Sequence, residues 1–180
     1  MEDGARYGLD VQYAFDGDQP LGTGGAIRHA LPLLKGPFFV LYGDSYLTCE
    51  YEGIQAHFMR HGQPGLMTVY RNHGKWDTSN VEMVNGQILR YDKKNHSPGM
   101  EFIDYGLGVF QPAVFESYPE NQSVDLAEVY QRLVTNHQLS AFEVEQRFYE
   151  VGSFEGLREL DELLKRDPNQ FLKGKPHELH

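Results

Sequence analysis

The chain has 180 residues, 40% of them hydrophobic, with 16 Lys and Arg against 26 Asp and Glu for a formal net charge of -10. That length fits one domain with a core that needs no metal or disulfide staple. The acidic balance argues against a nucleic-acid backbone as partner, which calls for a basic stripe. The single cysteine, Cys49, excludes an intrachain disulfide and fits a reducing, cytoplasmic setting. No signal-peptide pattern opens the sequence, and no apolar run reaches the length of a membrane span.

In chain order, Leu9 to Phe15 reads as a short strand and Asp16 to Gly25 as a loop dense in Gly, Asp and Pro. Ala26 to Leu34 has helical spacing of Ile27, Ala30, Leu31 and Leu34, with Pro32 expected to end it. After Gly36-Pro37, the continuous apolar run Phe38 to Tyr42 suits a central parallel strand buried on both faces. Glu52 to His61 reads as a helix and Gly65 to Tyr70 as a second buried strand. Asn80 to Val84 and Gln87 to Tyr91 alternate and meet at Asn85-Gly86, a strong hairpin signal. Phe102 to Phe110 is a strand with glycines inside it. Val124 to His137 is a helix with Asp125 in its first turn, and Phe142 to Val151 a strand. Ser153 stands as N-cap of a last helix, Phe154 to Arg166, ahead of Pro168 and a polar tail from Asn169 to His180. Strands alternating with helices argue an α/β sheet, made mixed by the inserted hairpin.

Four stretches carry side chains suited to chemistry. Pro20-Leu21-Gly22-Thr23-Gly24-Gly25 runs into a helix, whose free N–H groups and positive end favour an anion; it reads equally as a tight turn. Asp44 stands at the carboxyl end of an apolar strand, where open α/β sheets bind ligands, and reads equally as a turn residue. Asp92-Lys93-Lys94 follows the hairpin and alone is a solvated charge run. Glu150 ends a strand before a glycine and a helix start. No Gly-x-Ser-x-Gly elbow and no His-Glu-x-x-His helix occurs. Cys49 reads as a small buried residue, and Trp76 as a packing residue that could also stack on a sugar or base.

Together these pieces form an ordered set. PLGTGGAIRHALPLL…FFVLYGDSYL, DTSNVEMVNGQILRYDKK…MEFIDYGLGVF and RFYEVGSFEGLREL resemble successive blocks of the sugar-phosphate nucleotidyltransferases. The branch with heptose- and mannose-1-phosphate guanylyltransferases is the most similar in flavour, over about Gly8 to Leu164. The resemblance implies a Rossmann-like three-layer fold with a mixed, mostly parallel sheet. It implies joining a nucleoside triphosphate to a sugar 1-phosphate with release of pyrophosphate, and Mg²⁺ as cofactor. It implies Asp44 and Glu150 as metal carboxylates, the latter where Asp is usual. Lys93 would contact the sugar phosphate and Asp92 the sugar hydroxyls, although Lys94 stands where many members have Pro. Asn80, Asp104 and Gly106 would line the sugar pocket, and Gly22 and Thr23 would lie beside base and ribose.

The family's Gly-rich triphosphate loop, with its Arg and Lys, has no counterpart in this sequence. Two expectations follow: impaired or partner-dependent activity, and self-association through an uncovered sheet edge. The alternative is a non-catalytic module derived from the fold that binds sugar phosphate or nucleotide.

Overall fold

Glycine, proline and asparagine set most element boundaries. The computed structural model describes residues 3–75 and 78–166. Helix α1 (Gly22–Ala30) passes into a 3₁₀ turn, Leu31–Leu33, at Pro32, which has no N–H to continue the α pattern. Strands β1 (Phe38–Leu41) and β2 (Ser45–Tyr46) precede helix α2 (Tyr51–His61), which Gly62 ends in the left-handed region at φ 68°. β3 (Gly65–Arg71) leads to the hairpin β4 (Val81–Val84) and β5 (Gln87–Tyr91). Asn85 and Gly86, at φ 51° and 78°, give the hairpin turn the twist that its strands require. Then come β6 (Phe102–Phe110), the short α3 (Ala113–Glu116), α4 (Leu126–Thr135), β7 (Leu139–Val144), β8 (Tyr149–Glu150) and α5 (Phe154–Arg166). The Ser153 hydroxyl accepts the Gly156 N–H at 3.1 Å, so the expected cap on α5 is made.

One sheet runs β1-β6-β3-β7-β5-β4 and curls until Val81 of β4 also meets Phe102 of β6. A second small sheet joins β2 to β8. Alternate residues of β3 and β6 face opposite sides. Met67, Val69, Phe102 and Phe110 pack with Phe115, Leu126, Tyr130 and Leu133 from α3 and α4. Leu66, Tyr105, Leu107 and Val109 pack with Ile54 and Phe58 of α2. The expected α/β class and three layers therefore stand. Each such side chain, fully buried, stabilises the fold by about 1.5–3 kcal/mol.

Several expectations are corrected. The sheet is mixed, but among the described strands only β3 and β7 pair in parallel, because β6 runs against both β1 and β3. Residues 9–15 form no strand; the Leu9 and Val11 amides donate back to Gly4 and Asp3, and Phe15 is 77% exposed. Among the described residues β1 is an edge strand rather than a central one: it pairs there only with β6, and Leu41 is 49% exposed. Residues 142–151 divide between β7 and β8, since the Thr48 hydroxyl donates to the Arg147 carbonyl and draws the chain towards β2. Asp125 caps α4 instead of lying in its first turn: its carboxylate accepts the Ala127 N–H at 2.9 Å. Trp76 and the tail 169–180 lie outside the described residues.

Candidate active site

Beyond the carboxyl end of β1, a cavity of about 370 Å³ opens against β6 and the loop after β5. It brings together Asn80, Lys93, Asp104 and Gly106, four of the residues singled out from sequence. Gly106 bends β6 at φ 87°, and a Cβ there would meet Tyr42 Cδ2 at 3.2 Å and Ser45 Oγ at 3.4 Å. Only glycine adopts this backbone readily and leaves those two walls their space.

Asp104 is held at both oxygens. The Tyr91 hydroxyl donates to Oδ2 at 2.9 Å and the Gly106 N–H to Oδ1 at 3.1 Å. Burial pushes its carboxyl above the usual range, opposed by the Gly106 amide, the nearby Lys93 charge and the Tyr91 hydroxyl. Asn80 stitches the same wall. Its side-chain oxygen accepts the Asp104 N–H at 2.9 Å and its carbonyl accepts the Asp92 N–H at 3.0 Å. The Asn80 amide NH₂ is left without a protein partner among the described residues. The exposed Lys93 ammonium lies 5.1 Å from the Tyr42 ring centroid, a cation–π contact that holds it at the mouth. Burial, with Asp104 next in size, raises the Tyr42 phenol far above its ordinary value, so it stays a neutral hydroxyl.

Asp44 and Glu150 do not line the cavity but meet beside Ser45, which does. Ser45 is paired with Glu150 in the β2–β8 ladder, and the Val151 N–H donates to the Asp44 carbonyl at 2.7 Å. A Cβ built on Gly152 would lie 2.6 Å from Glu150 Oε1 and 3.3 Å from Asp44 Cβ, so both side chains border one residue. The Ser153 hydroxyl donates to Glu150 Oε2. Two exposed carboxylates are a hard-oxygen donor set that fits Mg²⁺, which keeps several waters and takes one or two protein carboxylates plus substrate phosphates. No group of three or more His, Cys, Asp or Glu is arranged for a metal among the described residues.

Besides Asp44 and Glu150, three more expected residues do not line the cavity. Asp92 turns into its own loop, where its carboxylate accepts the Lys94 and Asn95 N–H groups, each at 2.9 Å. Those bonds lower its pKa from 3.8 to about 2. Thr23 turns towards α4: its hydroxyl oxygen accepts the Leu126 N–H at 2.8 Å. Gly22 lies against the Val124 carbonyl, 2.7 Å from where its Cβ would be. The expected anion site at the start of α1 is filled by protein, because the Gly24 and Gly25 N–H groups both donate to Val124 O at 2.8 and 3.1 Å. Gly24 and Gly25 are there for close approach, since a Cβ on Gly25 would stand 2.5 Å from the Gln122 carbonyl.

The cavity also includes Tyr42, Ser45, Tyr105, Phe148 and His96. His96 Nδ1 sits 3.0 Å from the Ser79 carbonyl, which requires the proton on that nitrogen and leaves Nε2 free. Its position two residues beyond Lys94 was the only sequence signal for it. Buried Cys49 is in place as a core residue, its thiol pushed up by burial.

No family model matches the chain. It is 27% identical over 152 residues to the mannose-1-phosphate guanylyltransferase catalytic subunit beta of Xenopus tropicalis, covering 82% of this chain and 42% of that protein. It is 26% identical over 174 residues to the protein of that name from Dictyostelium discoideum, covering 94% and 44%. The chain thus spans less than half the length of these curated relatives. The fold matches a putative glucose-1-phosphate thymidylyltransferase from Bacillus anthracis with a TM-score of 0.76, at 14% identity over 90% of this chain and 68% of that one. The chain is similar in sequence to proteins named mannose-1-phosphate guanylyltransferase and in fold to sugar-phosphate nucleotidyltransferases. The cavity brings the Lys93 and Asp104 blocks together, whereas the Gly22-Thr23 block packs against Val124 and Leu126.

Proposed function

We propose that this chain serves nucleotide-sugar synthesis, with the cavity holding a sugar 1-phosphate. One observation carries the reading. The Lys93 ammonium at the mouth faces a hydrogen-bonding wall of Asn80 and Asp104, with the Asp44 and Glu150 carboxylates beside Ser45 of the lining. In this reading Lys93 takes the phosphate as a charge-assisted partner. The free Asn80 NH₂ donates to a sugar hydroxyl, and Asp104 accepts from another. Tyr42 and Phe148 offer aromatic faces to the sugar's C–H groups.

The reaction this arrangement serves joins a phosphate oxygen of the sugar 1-phosphate to the α-phosphorus of a nucleoside triphosphate. The bond from that phosphorus to its bridging oxygen breaks, and pyrophosphate leaves with the electron pair. Asp44 and Glu150 would hold Mg²⁺, which when bound neutralises phosphate charge. The protein's share is to orient the attacking oxygen and exclude competing water, worth several kcal/mol of barrier.

Calorimetric titration tests this. Mannose 1-phosphate is expected to bind the wild type, to weaken by roughly 10–100-fold in Lys93→Ala, as loss of a charged hydrogen bond predicts, and to bind Asp44→Ala almost unchanged. Magnesium-dependent binding of GTP is expected to disappear in Asp44→Ala. Wild-type protein that takes neither mannose nor heptose 1-phosphate would overturn the reading.

A further inference from the structure

Helix α2 carries two imidazoles one turn apart, away from the cavity just described. His57 and His61 stand at i and i+4, so they share a face. Their rings stack with centroids 4.0 Å apart and 26° between the planes. His57 and Phe142 of β7 meet edge to face, 5.3 Å between centroids at 85°, which restrains the imidazole. Neither imidazole has a hydrogen-bond partner among the described residues, so their ring nitrogens are uncommitted.

We propose that His57 and His61 form a two-imidazole chelate for a borderline divalent metal ion of the copper, nickel or zinc type. Imidazole nitrogen suits these ions and not magnesium, so the site differs in chemistry from the Asp44 and Glu150 carboxylates. Two bonds of about 2.0–2.1 Å at a tetrahedral angle set the ligand nitrogens about 3.4 Å apart, so the rings, stacked 4.0 Å apart, must turn out of the stack for one lone pair from each to converge on the ion. Burial, followed by the neighbouring His61 and Arg60, holds His57 below the usual imidazole range. The ring is then neutral at pH 7, with a lone pair to give. The pair also sits in the last turn of α2, where the helix dipole favours a cation.

With no third protein ligand arranged beside them among the described residues, water fills the remaining positions and the ion exchanges. The pair lies at the far end of the sheet from the cavity: His61 leads into Gly65, which pairs with Phe110, whereas Asp104 and Gly106 lie towards the other end of β6. Its occupancy is therefore independent of sugar-phosphate binding. A bound ion bridges successive turns of α2 and stabilises the native state by mass action.

The test is titration of the full chain, free of any added histidine tag and stripped with chelator, with Cu²⁺ and separately with Ni²⁺. Calorimetry and the melting temperature are the readouts. The wild type is expected to take the ion and melt higher in its presence. His57→Ala and His61→Ala are each expected to weaken binding at least about tenfold and to abolish the melting shift. His29→Ala, on α1, whose Ile27 and Leu31 pack on the opposite side of the sheet from α2, should leave both unchanged. His61 is exposed, so its variant keeps the fold, which far-ultraviolet circular dichroism verifies. Binding and melting shift that persist unchanged in the His61 variant, or a wild type that takes neither ion, would overturn the proposal.

Discussion

The wall of the cavity and its rim are built on opposite principles. On the wall, Asn80, Asp104 and Gly106 belong to strands or their immediate flanks. Asp104 receives Tyr91 and Gly106 while Asn80 receives the Asp104 amide, so every group is fixed before a ligand arrives. At the mouth Lys93 and His96, and beside it Asp44 and Glu150, are exposed, borne on loops and on a strand of two residues. In the proposed reading the rigid wall sets which hydroxyl pattern fits, and phosphate and cation order the exposed, charged groups. Fixed and unfixed parts of one site should therefore respond differently to substitution.

The largest expected contrast is Asp104→Ala. It strands the Tyr91 hydroxyl and the Gly106 amide in a buried place and should cost about 2–4 kcal/mol of unfolding free energy, read by urea denaturation, together with sugar-phosphate affinity. A variant as stable as the wild type would show that the wall is not preorganised by this carboxyl.

The next contrast is in pH. Asp104 has a raised folded pKa. Its contribution to stability is fully present below the ordinary 3.8 and is lost as pH rises through the folded value. Asp92, lowered to about 2, contributes above 3.8, and that contribution is lost as pH falls through about 2. Urea midpoints from pH 2 upward should therefore show Asp104→Asn removing a decline on the alkaline side of 3.8 and Asp92→Asn removing a loss on the acid side. Slopes of the same sign for both would break the distinction between wall and loop.

The smallest effect belongs to the rim. His96→Ala should lower mannose 1-phosphate affinity by a few-fold, about the worth of one hydrogen bond, with no change in melting temperature. A melting change there would mean that His96 supports the Ser79 loop more than the ligand.

What the sequence revealed follows the range of the forces involved. The Asn85-Gly86 hairpin, the stop at Pro32, the cap at Ser153 and the bounds of β6 are local and legible. The place of β1 was not, because its exposure depends on a partner strand 70 residues distant and on what lies along its other edge. Asp92 and Asp104 looked alike as site carboxylates. Only the folded loop separates the one that bonds its own backbone from the one that faces the cavity. Thr23 and Gly22 look like a phosphate turn until α4 is brought against them. His96 has no motif around it, and the Ser79 carbonyl that aims it lies 17 residues away in sequence.

The start of α1, where Val124 O takes the Gly24 and Gly25 amides, bears on how this molecule can change over time. A cradle of backbone amides recognises phosphate whatever side chains surround it, so drift leaves its ligand the same. Here those amides are spent on the Val124 carbonyl ahead of α4, and in the proposed reading recognition of charge falls to Lys93, His96 and two carboxylates. Each is encoded by one codon, so a site of this kind can be moved to a new ligand by few mutations and abandoned by fewer.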